Sequence, residues 1–303
     1  MIGSQSAKHA SIVSAMRAIS GAPSTRACFA DGRCVRGTYI PSDRADEITT
    51  SQSFTRPSRL LARFSVERNL NQSHTGNLVL RGFSFRVGDG HHRSDILTQS
   101  APIHYARTLD QMLAFLNAHS PRADGRPDTA IVRAFSAANP ETRHQADYIA
   151  AHPLPRSFAD TTYWAVHAFP ATNANGERQF IKFKVAPVGS DAAPEAEVKT
   201  TSGDVLDEDL HKRIKTSDVR FSLLALVSRP DDPVLDVTMR WPNEDRREAV
   251  RLGTIVITAI EANETCDRSV FDPGILAEGL GHPPDEIFAA RRAAYAISLA
   301  RHR

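Results

Sequence analysis

Short runs of alternating polar and apolar residues, interrupted by a long helical excursion and then resumed, constrain this chain's fold more than any other feature. Residues 33–40, 60–66, 78–87 and 95–99 alternate with the period of strands that bury one face. Gly88-Asp89-Gly90 reads as a turn between two of them. Thr108 has the chemistry of an N-cap, and Leu109, Met112, Leu113 and Leu116 then recur at helical spacing. Residues 121–160 are punctuated by proline, with helical stretches near 129–137 and 140–151. Strands return at 161–169 and 179–185 across Asn173-Ala174-Asn175-Gly176, a hairpin signal because Asn-Gly tolerates positive φ. A second hairpin is read at 220–228 and 234–241 around Pro230-Asp231-Asp232-Pro233, and 252–259 supplies one more strand. About eight strands in two groups, with inserted and appended helices, predict an α+β fold built on a closed antiparallel eight-stranded β-barrel, not a doubly wound sheet.

Composition narrows the class. The 303 residues are 41% hydrophobic and 24% charged, enough for a large core, and the net charge of +2 is too balanced for a nucleic-acid groove or an anionic membrane surface. No window reaches the ~18 apolar residues of a membrane span. Cys28, Cys34 and Cys266 lack metal-ligand spacing, so reduced thiols and a cytoplasmic location are expected. Residues 1–25 read as an arm with a short helix around 12–19, of the kind that packs on a partner subunit, and residues 26–303 as one domain.

The C-terminal run carries the chemistry. Arg291 and Tyr295 stand four apart, so a helix brings them to one face, where a guanidinium can donate to a phenol oxygen that faces a metal. A free tyrosine titrates near pH ~10, so a phenolate at neutral pH needs a neighbouring cation, a metal or both. Asp285 follows a proline pair in the first turn, where the helix dipole favours a carboxylate able to orient the arginine. Solvated charges on an ordinary amphipathic last helix would leave the same pattern.

In this order the segments resemble the catalases, in particular their short haem-binding branch. The resemblance rests on Arg63-Phe64-Ser65, Arg81-Gly82-Phe83, Asp95-Ile96-Leu97 leading to Ala101-Pro102-Ile103 and Ala106-Arg107-Thr108, Val166-His167-Ala168-Phe169, Leu252-Gly253-Thr254, Phe271-Asp272-Pro273 and the Arg291–Tyr295 pair. It implies haem b as cofactor with Tyr295 as the axial iron ligand, a role tyrosine fills in catalase. It further implies that Arg291 steadies the phenolate, that His167 and Asp285 continue a hydrogen-bonded chain behind it, and that Arg26 and Arg63 bind the propionates. Arg301 and Arg303 are further propionate candidates. A homodimer or higher homo-oligomer is expected of such a relative. No glycine-rich nicotinamide fingerprint follows a strand.

One departure decides the chemistry. Where the family keeps its distal histidine, this chain reads Arg26-Ala27-Cys28-Phe29-Ala30-Asp31-Gly32, with Phe29 in the histidine's place. Ser100 replaces the distal asparagine before Ala101-Pro102, while Ser65, which supports the histidine in relatives, is retained. Phenylalanine cannot move protons, a service worth about 10²–10⁴ in rate. His104 stands where relatives line the distal channel with phenylalanine and is a candidate acid/base or substrate hydrogen-bond donor; an exposed strand-end histidine is the alternative. Gln99 is adjacent, but alternation lets only one of Gln99 and Ser100 face the pocket. Met112 reads as packing, and His91-His92 as a solvated turn. The expectation is a haem-dependent oxidoreductase, peroxidase-like or oxygenase-like, acting on an organic substrate or organic hydroperoxide and not an efficient catalase. The alternatives are a haem Lewis-acid dehydratase or isomerase and a non-catalytic haem-binding protein.

Overall fold

Bulky side chains at every second strand position need a common interior, and here the sheet closes on itself to provide one. The computed structural model describes residues 2–20, 29, 31–67, 72–73, 76–77, 79–189 and 203–300. In chain order the elements are α1 (Ile2–Ser20), β1 (Asp31–Pro41), α2 (Gln52–Thr55), β2 (Ser58–Glu67), β3 (Gln72–Ser73), β4 (Gly76–Asn77), β5 (Leu80–Val87), β6 (Ser94–Gln99), α3 (Leu109–His119), α4 (Thr129–Ala138) and α5 (His144–Ala151). They continue with β7 (Tyr163–Trp164), β8 (Phe169–Thr172), β9 (Arg178–Pro187), α6 (Gly203–Thr216), β10 (Val219–Val227), β11 (Ala249–Ile260), α7 (Asn263–Arg268) and α8 (Glu286–Ala300). Among the described residues the barrel order is β10-β11-β1-β2-β5-β6-β7-β9, all antiparallel, and β9 pairs back on β10 to close the ring of eight. Closure removes the unpaired edges of an open sheet.

Alternation sorts each strand into an inner and an outer set. Along β2, Leu60, Ala62, Phe64 and Val66 enter the core; on β5, Phe83, Phe85 and Val87 do. Phe64 and Phe83 stack at 4.6 Å between centroids, and Phe83 stacks on Phe221 of β10 at 5.5 Å. Leu206 and Leu210 of α6 join this core. Outside it, α1 lies on α3 and α8 of its own chain, where Ile12, Ile19, Leu109, Met112, Phe115, Leu116, Ile287 and Ala290 form a second apolar cluster. The expected arm helix thus spans residues 2–20 and covers its own chain, and Met112 serves packing.

Three expectations need correction. Residues 161–169 do not form one strand: β7 and β8 lie end to end on the same edge of β9, and after Ala165, whose N–H still donates to Phe183 O at 2.9 Å, the residues before β8, His167 included, leave the ladder. Residues 234–241 form turns and not a hairpin arm, because Asp236 Oδ1 accepts from Thr238 N and Oγ1 at 2.9 and 2.6 Å and Asp232 Oδ2 accepts from Arg229 N at 2.6 Å. These short side chains satisfy backbone that a strand would pair. Cys34 and Cys266 are not free thiols; they form a disulfide with Cα atoms 5.8 Å apart, because α7 docks on β1 and spans a sequence separation of 232 residues. That removes the thiol argument for a reducing compartment. Cys28 lies outside the described residues.

Other local readings match. Thr108 caps α3 by accepting from Gln111 N at 3.2 Å, Gly176 closes the β8–β9 hairpin at φ 79°, and His91 and His92 lie exposed in a short 3-10 turn. Among the described residues no helix is long and apolar enough to cross a membrane.

Candidate active site

The break between β7 and β8 and the start of α8 meet in one hydrogen-bonded chain, buried at Asp285 and His167 and half-buried at Arg291. Asp285 caps α8, its Oδ1 accepting from Phe288 N at 2.8 Å. Its Oδ2 lies 2.9 Å from His167 Nδ1, and His167 Nε2 lies 3.1 Å from Arg291 Nη1. A guanidinium can only donate, so Nε2 is the acceptor and Nδ1 carries the proton given to Asp285. Both His167 and Asp285 are 3% exposed. Burial pushes the His167 imidazole below its ordinary pKa against the raising effect of Asp285, and the Arg291 charge adds to the depression. Burial would raise Asp285, but the hydrogen bond from His167 and that from the Phe288 amide outweigh it and hold the carboxylate ionised. Tyr295 follows Arg291 by four residues on the same half-buried stretch of α8.

A second group gathers on the outer face of β2. Period two places Arg63, Ser65 and Glu67 on one face, opposite the core-facing Phe64 and Val66. The register sets Ser65 beside Gly82 of β5 and Gly32 of β1. Phe29 lies over this face: Arg63 Nη1 donates to its carbonyl at 2.8 Å, and its N–H donates to Glu67 Oε2 at 2.6 Å. A side chain at Gly82 would have no room, since a Cβ there would lie 2.5 Å from Ser65 Oγ and 3.1 Å from the Phe29 ring. Phe29 also packs against an apolar group formed by Leu80, Ala101 and Ile149.

Ser100 is buried, with Oγ accepting from Arg81 N at 3.0 Å, and Gln99 Nε2 donates to Ile103 O at 2.9 Å. Both side chains fasten the β6–α3 connection. His104 is buried, not exposed. Its Nδ1 lies 3.0 Å from Ala106 O, its backbone N–H donates to Val237 O at 2.7 Å, and its ring stacks on Tyr105 at 4.2 Å. Burial, then the charge of Arg291, lowers its pKa to about 3, so the ring is neutral at ordinary pH. Arg291, His167 and Asp285 all lie within electrostatic range of it. Arg26, Arg301 and Arg303 lie outside the described residues.

Sequence reasoning missed Glu67. The signal was the continuation of Arg63-x-Ser65 by one more period, which carries a charge onto the outer face. Among the described residues no cluster of three or more His, Cys, Asp or Glu could hold a metal ion.

A closed antiparallel barrel with a hydrogen-bonded Asp285–His167–Arg291 chain leading to α8, four residues before Tyr295, defines a catalase-type architecture. Residues 22–303 match the Catalase family, and the chain belongs to that family. It is 24% identical over 276 residues to a Catalase-related peroxidase of Synechococcus elongatus, covering 89% of this chain and 81% of that one. A Catalase-related peroxidase of Mycolicibacterium paratuberculosis is 25% identical over 297 residues, covering 95% and 92%. Catalase A from Saccharomyces cerevisiae superposes with a TM-score of 0.76 at 18% identity, over 91% of this chain and 60% of that one. A bacterial catalase gives 0.75 at 21% identity, over 91% and 56%. These two structures speak to the fold alone, and the chain spans less than two thirds of their length.

Proposed function

We propose that this protein is a haem-dependent oxidoreductase of the peroxidase type that acts on an organic substrate or organic hydroperoxide, with poor hydrogen peroxide dismutation. The observation that carries the reading is the Arg291–His167–Asp285 chain one helical turn behind Tyr295. Catalase-related peroxidases among the relatives support the reaction class.

The residues fit haem b. Tyr295 offers a phenol oxygen to iron, and Arg291 stands a turn away to hold its negative charge. A neutral imidazole can accept the Arg291 N–H and fix the guanidinium, which an imidazolium could not do, and burial shifts His167 toward that neutral form. Arg63, with Arg26, suits the propionates in charge and planar geometry. Bound haem supplies the iron that activates a peroxide bond and accepts the resulting oxidising equivalents.

The chain's own residues restrict the chemistry on the open face of the cofactor. Phe29 fills the face where the family's imidazole stands and moves no proton. Ser65 lacks a histidine to support. Ser100 and Gln99 spend hydrogen bonds on backbone. His104, neutral at ordinary pH, supplies no acidic proton donor to that face. An apolar face above the cofactor accommodates a carbon-bearing substrate better than a small polar peroxide.

Phe29→His tests this reading. Haem-loaded wild type should turn over an organic hydroperoxide with a phenolic reductant, and Phe29→His should raise hydrogen peroxide dismutation by about 10²-fold or more. Efficient dismutation by the wild type would contradict it. Turnover without peroxide, oxygen or reductant would instead indicate Lewis-acid dehydration or isomerisation, and haem binding without turnover a carrier or sensor.

A further inference from the structure

Phe29 has φ 52°, the left-handed region that side chains larger than glycine's rarely adopt, and phenylalanine lacks the short polar side chain that eases it for asparagine. Something must hold it there. The two ends of its backbone are gripped from β2: Arg63 Nη1 donates to the carbonyl at 2.8 Å, and Glu67 Oε2 accepts from the N–H at 2.6 Å. Arg63 and Glu67 lie four residues apart on one strand face, about 13 Å between Cα atoms, so the two long side chains converge on Phe29 from opposite sides of Ser65. Glu67 is 7% exposed, and the bond its Oε2 accepts from the Phe29 N–H is short. The held conformation sets the ring against bare backbone at Gly82.

We infer that Glu67 is a positioning residue that, with Arg63, fixes Phe29 in its left-handed conformation and so sets the shape of the space above the cofactor face. This rests on the proposed haem site with Phe29 as its distal wall. Glu67 touches no reacting atom in this account; it acts through Phe29, and a larger or movable wall would change which substrates fit.

The shape of that space can be read without turnover. Haem-loaded full-length protein is titrated with cyanide and with 4-phenylimidazole, followed by the Soret band, and the ratio of the two Kd values reports room at the iron. Phe29→Ala should favour the bulky ligand tenfold or more in this ratio. Glu67→Ala should shift the ratio tenfold or more from wild type, Glu67→Gln, which keeps a carbonyl acceptor, should stay within threefold, and Glu67→Ala added to Phe29→Ala should change nothing further. If Glu67→Ala does not fold, Glu67→Asp, one methylene short, should shift the ratio where Glu67→Gln does not. A wild-type ratio in Glu67→Ala, or in Glu67→Asp, alongside a shifted Phe29→Ala overturns the positioning role and leaves the distal wall standing. A wild-type ratio in Phe29→Ala overturns both.

Discussion

His167 and His104 show at the residue scale how burial selects a protonation state. Each imidazole is held neutral in the folded chain, His104 to about pH 3, whereas the unfolded chain binds a proton near pH 6.5. Between those values the unfolded state carries more protons, so stability is complete above pH 6.5 and falls as pH drops. Asp285, its pKa also lowered, acts in the same direction at lower pH. At pH 5 His104 costs about 2 kcal/mol and His167 acts in the same direction, so the melting temperature should drop by several degrees between pH 7 and pH 5; a flat profile would contradict neutral burial. Asp285→Ala removes both the helix cap and the acceptor of the His167 proton. A loss of about 2–4 kcal/mol is expected in denaturant unfolding, with Asp285→Asn losing less because it still caps.

At the scale of elements, what could be read from the chain depended on the distance over which the cause acts. The strands of β1, β2, β5, β6, β9, β10 and β11, the Thr108 cap and the Asn-Gly hairpin arise from local alternation and turn chemistry, and were legible. The turns at residues 234–241 were not, because Val234 and Val237 suggest a strand while Asp232 and Asp236 bond their own backbone. The β7–β8 break was hidden as well: only tertiary pairing reveals that His167 leaves the ladder to meet α8. In the site, the Arg291, His167 and Asp285 positions were legible through family resemblance, whereas Glu67 and the left-handed Phe29 emerged from barrel register. The Cys34–Cys266 bond joins elements that no local pattern connects. Its removal, by Cys266→Ser or by reductant, should cost about 3–5 kcal/mol, seen as a lower melting temperature; identical melting with and without reductant would contradict the crosslink.

For the whole molecule, the closed barrel is the frame that both halves of the site share: β2 and β5 carry the Phe29 face, and the edge of β9 sets the break that releases His167 to α8. Its interior is a stack of aromatic rings, so Phe83→Ala, which empties the contact with Phe64, Phe85, Tyr163 and Phe221, should cost about 3–5 kcal/mol in chemical denaturation. A loss under about 1 kcal/mol would mean the rings are not the barrel's packing core. The central claim is that Tyr295 binds haem iron through its phenol oxygen with Arg291 behind it. The most direct test is the absorption spectrum and haem content of purified Tyr295→Phe beside wild type. Loss of bound haem or a displaced Soret band is the predicted result; an unchanged Soret band at unchanged haem content would contradict it.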